Sequence, residues 1–225
     1  MLPLLFAGGL IPVLFWAAYH YYHDRHRPEP VAKLIFALLL GGLASLLAGL
    51  GYELLGQIGL RYDALGLAEG NRLGLFLYAF LGIGVVEELA KLLPFLLLIL
   101  RFSDFDEPVD GIVYASFIGL GFAALENLYY FPHLSTPEAL ARGFAAPVVH
   151  RAFASIWGYR VGKAKLEGGS VLTEAAVWLL AAAFVHGVYD FIVLGFGGPA
   201  LVFAAAVILA IWFWRLKLLL QLSAR

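Results

Sequence analysis

Glu87, Glu88 and Lys91 stand in one long apolar stretch of this sequence. Glu126 and Asn127 stand in a second, His150 and Arg151 in a third, and His186 and Asp190 in a fourth. Glutamate and histidine together suit the activation of water: the carboxylate accepts a proton, and a neighbouring imidazole orients the water or shuttles the proton. On a helix, Glu87 and Lys91 are i,i+4 and Glu88 and Lys91 are i,i+3, so either carboxylate can lie beside the ammonium. Glu87 and Glu88 themselves point about 100° apart, which rules out identical roles. One is expected to face a cavity while the other pairs with Lys91 or a second helix. His186 and Asp190 share a face one turn apart. Ser45, Ser116 and Ser155 carry no local base signature and read as helix-packing residues. The absence of cysteine excludes thiol nucleophiles, disulfides, iron–sulfur centres and cysteine-type zinc sites.

The set holds four carboxylates, Glu87, Glu88, Glu126 and Asp190, against Lys91 and Arg151. Full ionisation in a low dielectric is costly. A protonated carboxylate, a charged histidine or a bound cation must relieve it. Glu126, His150, His186 and Asp190 are acceptable zinc ligands by type, yet no His-Glu-x-x-His pattern is present. A glutamate-dependent, metal-free site is the favoured reading, and zinc stays open.

The elements that carry these residues belong to a membrane. Hydrophobic residues make up 62% of the 225 and charged residues 14%, and mean hydropathy is +0.87. One soluble core could not hide so much apolar surface. The expected fold is all-α: a polytopic bundle of about seven transmembrane helices forming one integral membrane domain, 1–225, with the catalytic helices in 73–195. Spans are expected at about 2–22, 31–56, 73–100, 109–130, 141–162, 172–195 and 199–220, each near the roughly 20 residues that a crossing requires. The first is read as a retained span, because its basic residues follow the apolar stretch instead of preceding it. Thr136-Pro137-Glu138 reads as a helix start, with Thr136 as the cap and an interruption at Pro147. Gly41, Ser45 and Gly49 are expected at a close helix contact.

Arg25, Arg27, Lys33, Arg101, Arg160, Lys163, Lys165, Arg215, Lys217 and Arg225 fall on one side of these spans. Only Arg61, Arg72 and Arg142 fall on the other. The imbalance places the amino terminus outside and the carboxyl terminus in the cytoplasm. At 1.5 Å per residue, Glu87 lies about 20 Å from the cytoplasmic end of its span, Glu126 about 24 Å, His186 about 21 Å and His150 about 15 Å. Four helices thus bring these groups to one level. A net charge of -1 and the lack of a basic run argue against nucleic-acid binding.

Glu87-Glu88-Leu-Ala-Lys91, Phe122-Ala-Ala-Leu-Glu126-Asn127, His150 and His186-Gly-Val-Tyr-Asp190 together resemble the PrsW family of intramembrane proteases. More distantly, they are similar to the CAAX prenyl protease and bacteriocin-processing superfamily. The resemblance implies peptide-bond hydrolysis in or beside the lipid bilayer of a bacterial cytoplasmic membrane, acting on a membrane protein or transmembrane peptide such as an anti-sigma factor. It implies that Glu87 activates water, that Glu88 supports it and that Lys91 anchors the pair. Glu126 stands where the prenyl-protease branch has histidine, so His150 becomes the candidate for the missing imidazole. His186 is implied at the oxyanion or water, oriented by Asp190, with Phe122, Asn127 and Arg151 supporting. Read without the resemblance, the same residues also suit a proton- or ion-coupled transporter, or a membrane scaffold with a polar core. The sequence leaves the oligomeric state open.

Overall fold

A computed structural model describes residues 5–23, 28–196 and 198–223. These residues are almost entirely helical, with no strand among them. A π-helical segment, Leu5–Leu10, leads into α1 (Ile11–His23). There follow α2 (Val31–Gln57), two short helices α3 (Ala64–Gly70) and α4 (Arg72–Leu77), and a π-helical turn, Tyr78–Gly84, that runs straight into α5 (Val85–Leu97). The chain continues through α6 (Pro108–Tyr130), α7 (Thr136–Glu167), α8 (Val171–Gly195) and α9 (Leu201–Ser223).

Four helical stretches are long and apolar enough to cross a membrane: Val31–Gln57, Pro108–His133, Val171–Gly195 and Gly198–Leu218. They match the spans expected at 31–56, 109–130, 172–195 and 199–220. The stretches expected at 73–100 and 141–162 are helical too, but the first is divided among α4, the π-helical turn and the 13-residue α5, and the second carries charged residues that lower its hydropathy. Glu87, Glu88 and Lys91 sit in α5, and Arg142, Arg151 and Arg160 in α7. The start of the first expected span, together with Arg25, Arg27 and Arg225, lies outside the described residues.

The bundle is organised around α6. Its most apolar window is 83% buried, against 33%, 22% and 17% in the other three membrane-length helices. It lies between α2 on one side and α7 on the other. Glycine permits these approaches. A Cβ on Gly41 would strike the backbone of Ile118 and Phe122, and one on Gly119 would lie 2.7 Å from the backbone of Arg151 and the carbonyl oxygen of His150. Gly119 therefore sets how closely the helix bearing His150 approaches the helix bearing Glu126. The contact stripe on α2 differs from the expected one: it runs through Gly41, Ala44 and Ala48, whereas Gly49 faces open space. The 3.6-residue period carries the face away from Gly49.

Two expectations about α7 are corrected. The helix begins one residue earlier, with Ser135 as its cap, because Glu138 reaches back to accept hydrogen bonds from the Ser135 N–H at 2.9 Å and hydroxyl at 2.6 Å. It also runs unbroken through Pro147 to Glu167. Burial of this turn, through Ala146, Pro147 and Val149, outweighs the hydrogen bond that proline's missing N–H removes. Ser116 and Ser155 donate back to the carbonyls of Ile112 and Ala152, each at 2.6 Å, and so serve their own helices.

Gly41→Ala is expected to destabilise the protein by about 1–3 kcal/mol, because backbone cannot move aside as a rotamer can. Gly49→Ala is expected to leave stability unchanged or raise it by up to about 1 kcal/mol. Thermal unfolding of both variants in detergent checks the contrast; equal losses would contradict the placement of this stripe.

Candidate active site

Glu87 and Glu88 open α5 directly after the π-helical turn, and their side chains go to different partners. Glu88 has no exposed surface. Its Oε1 accepts from Lys91 Nζ at 2.6 Å and its Oε2 from the Trp157 indole at 2.9 Å. His186 Nδ1 lies 3.0 Å from Oε1, and a carboxylate can only accept, so that nitrogen carries the proton. Glu87 turns the other way. Its Oε1 accepts from the Tyr52 hydroxyl at 2.7 Å. Its Oε2 is buried and has no hydrogen-bond partner among the described residues. That oxygen lies 3.8 Å from His150 Nδ1 and 3.8 Å from His186 Nε2.

His150 is held at both nitrogens. Its Nε2 donates to Glu126 Oε2 at 2.9 Å, and its Nδ1 lies 3.1 Å from Lys91 Nζ, which has only protons to offer. Arg142 pairs with the same Glu126 oxygen at 2.9 Å and stacks on the Tyr130 ring at 3.9 Å. Phe122 packs on the His150 ring at 4.9 Å and under the Lys91 ammonium at 4.5 Å, while Phe153 stacks on His186 at 4.6 Å. Asp190 Oδ2 is 3.4 Å from His186 Nε2. Asp190 thus lies on the Glu87 side of the ring, and Glu88 holds the far side.

The structure brings Glu87, Glu88, Lys91, Phe122, Glu126, His150, His186 and Asp190 together. One of the expected residues lies elsewhere. Arg151 turns from the carboxylates to an aromatic pocket formed by Trp16 at 3.8 Å, Trp212 at 4.6 Å and Tyr19 at 5.6 Å. One step along the helix from His150 rotates it out of the site. Asn127 is buried, and neither of its amide atoms has a hydrogen-bond partner among the described residues.

Three residues of the cluster are additions to the set expected from sequence. Arg142 and Trp157 share a helical face with His150, at spacings of eight and seven residues. That periodicity was a readable signal. Tyr52 had none: a tyrosine near a span end reads as an interfacial residue.

The geometry can hold a metal ion once Lys91 releases the one lone pair of His150 Nδ1. Glu87, His150 and His186 each offer a ligand atom, and the three lie within 4.8 Å of one another. Two histidines and a glutamate form a known zinc-hydrolase set. Both imidazoles have the far nitrogen fixed by a carboxylate, as metal-ligating histidines usually do. With all four carboxylates ionised, Lys91 and Arg142 leave two negative charges, which one divalent cation would balance. Glu87, expected as the base, thereby joins the possible ligands, whereas Glu126 is engaged on the far side of His150.

Membrane-length helices around a buried acid–imidazole centre define the class: a polytopic membrane protein with a hydrolytic type of site. The chain belongs to the PrsW family. A family model described as "PrsW family intramembrane metalloprotease" matches residues 29–216. The chain is 32% identical over 221 residues to the Protease PrsW of Oceanobacillus iheyensis, covering 96% of each chain. It is 30% identical to that of Geobacillus kaustophilus, covering 84% of this chain and 80% of the relative. To that of Bacillus subtilis it is 28% identical, covering 84% and 82%. No solved structure matches. The protein is accordingly an integral protein of the bacterial membrane.

Lys91→Met is expected to cost about 3–5 kcal/mol of stability, since it leaves the Glu88 carboxylate buried beside fewer donors. Adding Glu88→Gln should recover part of that loss. Denaturant or thermal unfolding of the single and double variants measures the coupling, and strictly additive losses would contradict it.

Proposed function

We propose that this protein is an intramembrane endopeptidase that hydrolyses peptide bonds of membrane-bound proteins, with Glu87 at the reacting centre. One observation carries the reading: Glu87 Oε2 is a buried, unpartnered acceptor between two imidazoles whose far nitrogens are held by carboxylates. In the proposed arrangement the chain is one domain of seven spans, with the amino terminus outside and the carboxyl terminus in the cytoplasm. The charge imbalance of the loops supports that orientation. The substrate is a transmembrane or juxtamembrane segment, and an anti-sigma factor is a fitting example for a bacterial protein of this family.

Glu87 Oε2 takes a proton from water as the water oxygen attacks the scissile carbonyl. Glu88 keeps a proton on His186 Nδ1, so Nε2 of that ring is the position that gains and returns protons on the Glu87 side. As an imidazolium, His186 donates to the developing oxyanion and then protonates the leaving amine as the C–N bond breaks. Asp190, 3.4 Å from Nε2, stabilises the charged ring. Glu126 and Arg142 hold His150 from outside the reacting space.

The three converging donor atoms favour a second, metal-dependent reading. Glu87, His150 and His186 would hold the ion. A bound zinc supplies Lewis-acid polarisation of a carbonyl and lowers the pKa of its water. The duties of Glu88 and Glu126 in fixing the two rings are the same in both readings, and Asp190 is then the carboxylate free to carry a proton.

Purified protein in liposomes, given membrane-spanning peptides, is expected to cleave them. Glu87→Gln should lower kcat/KM by about 10²–10⁴-fold while the protein stays folded. Metal content of the same two samples separates the readings. Active wild type that carries no zinc fits Glu87 as the base of a metal-free site, and a variant that loses stoichiometric zinc together with activity fits Glu87 as ligand. Cleavage unchanged in folded Glu87→Gln would sink the assignment.

A further inference from the structure

The reaction proposed for Glu87 needs one particular oxygen of its carboxylate. Its last torsion is soft, so a carboxylate held only at its stem exchanges its two oxygens and swings its plane. Glu87 is held further out. Tyr52, on a different helix, donates to Oε1 at 2.7 Å. That bond occupies one oxygen and leaves Oε2 as the atom 3.8 Å from each imidazole.

The approach that makes this bond is built into α2. Ala44 and Ala48 pack with Ala90 and Phe122, and Tyr52 and Val86 lie against that cluster. Gly51 sits where a Cβ would come 2.8 Å from Val86 Cγ1. Small residues thus bring the end of α2 against the start of α5, where the carboxylate is. The helix contributes no charged group to the site; what it brings to the centre is a neutral hydroxyl.

We infer that Tyr52 is a positioning residue for Glu87: its hydroxyl, bound to Oε1, fixes the carboxylate plane so that Oε2 alone faces the reacting space. The inference rests on the proposed role of Glu87 and extends it to a helix outside the recognised motifs. Tyr52 acts through Glu87 and does not itself touch the substrate.

Tyr52→Phe keeps the ring and its packing and removes only the hydroxyl. With a membrane-spanning peptide, kcat should fall about 10–100-fold, the range for losing a partner that orients a site ligand, while KM stays within about twofold. A second readout does not depend on turnover. The infrared carboxylate band that Glu87→Gln abolishes should shift in Tyr52→Phe, because one oxygen has lost its donor. An unshifted band, an unchanged kcat, or a raised KM with kcat intact would each overturn the inference. If the wild type cleaves no peptide, the proposed function fails, and the infrared band still decides whether Tyr52 binds Glu87. Should Tyr52→Phe unfold, Tyr52→Leu and Tyr52→Met are read the same way, each against a matched thermal midpoint.

Discussion

Glu88 accepts three hydrogen bonds without exposing any of its surface: from Lys91 on its own helix, from Trp157 on α7 and from His186 on α8. A buried carboxylate is tolerable only when its charge and lone pairs are met in this way. Meeting them fixes much else. Three helices are tied at one depth, a proton is held on His186 Nδ1, and Lys91 is placed where it also reaches His150. Glu87, the neighbouring residue, turns its carboxylate elsewhere and among the described residues has Tyr52 as its one hydrogen-bond partner. Adjacent, identical side chains thus acquire opposite environments: one saturated and structural, the other half-satisfied and facing the imidazoles.

The division of labour among the helices follows from the same constraint. Charged groups make α7 a poor membrane segment by itself, and the 13-residue α5 is shorter than a crossing, so both depend on their neighbours. The apolar helices α2, α8 and α9 present large hydrophobic side chains outward, among them Leu39, Leu50, Leu172 and Phe203. Inside, α2 gives up bulk at Gly41 and α6 at Gly119 and Gly121, so that helix backbones meet closely. The second buried polar region, where Arg151 lies over Trp16 and Trp212, joins α7 to α1 and α9. There the cation meets aromatic faces, a separate solution to the same desolvation problem.

Much of this was legible in the sequence. Four apolar runs gave four membrane-length helices near the expected bounds, since composition alone sets that property. The level placement of Glu87, Glu126, His150 and His186 followed from counting along helices, and the structure gathers all four. The division between Glu87 and Glu88 followed from a 100° rotation. Other features depended on contacts between helices, which one sequence does not encode locally. Arg151 was grouped with the site as a charge inside a span set against the carboxylates, although a helix sends neighbours to different faces. Arg142 and Trp157 lay on the correct face but carried bland local readings. Tyr52 differs from an interfacial tyrosine only through α2–α5 packing, which the Gly51 and Ala48 positions permit.

The two imidazoles are held in opposite senses, His186 donating from Nδ1 to Glu88 and His150 donating from Nε2 to Glu126. The most direct test is ¹⁵N NMR of histidine-labelled, metal-free protein in bilayers, with His150→Gln and His186→Gln samples assigning the two rings. The account predicts a proton on Nδ1 of His186 and on Nε2 of His150. A neutral His186 protonated only at Nε2, or a neutral His150 protonated only at Nδ1, would contradict it, because the lone pairs would then turn away from Glu87.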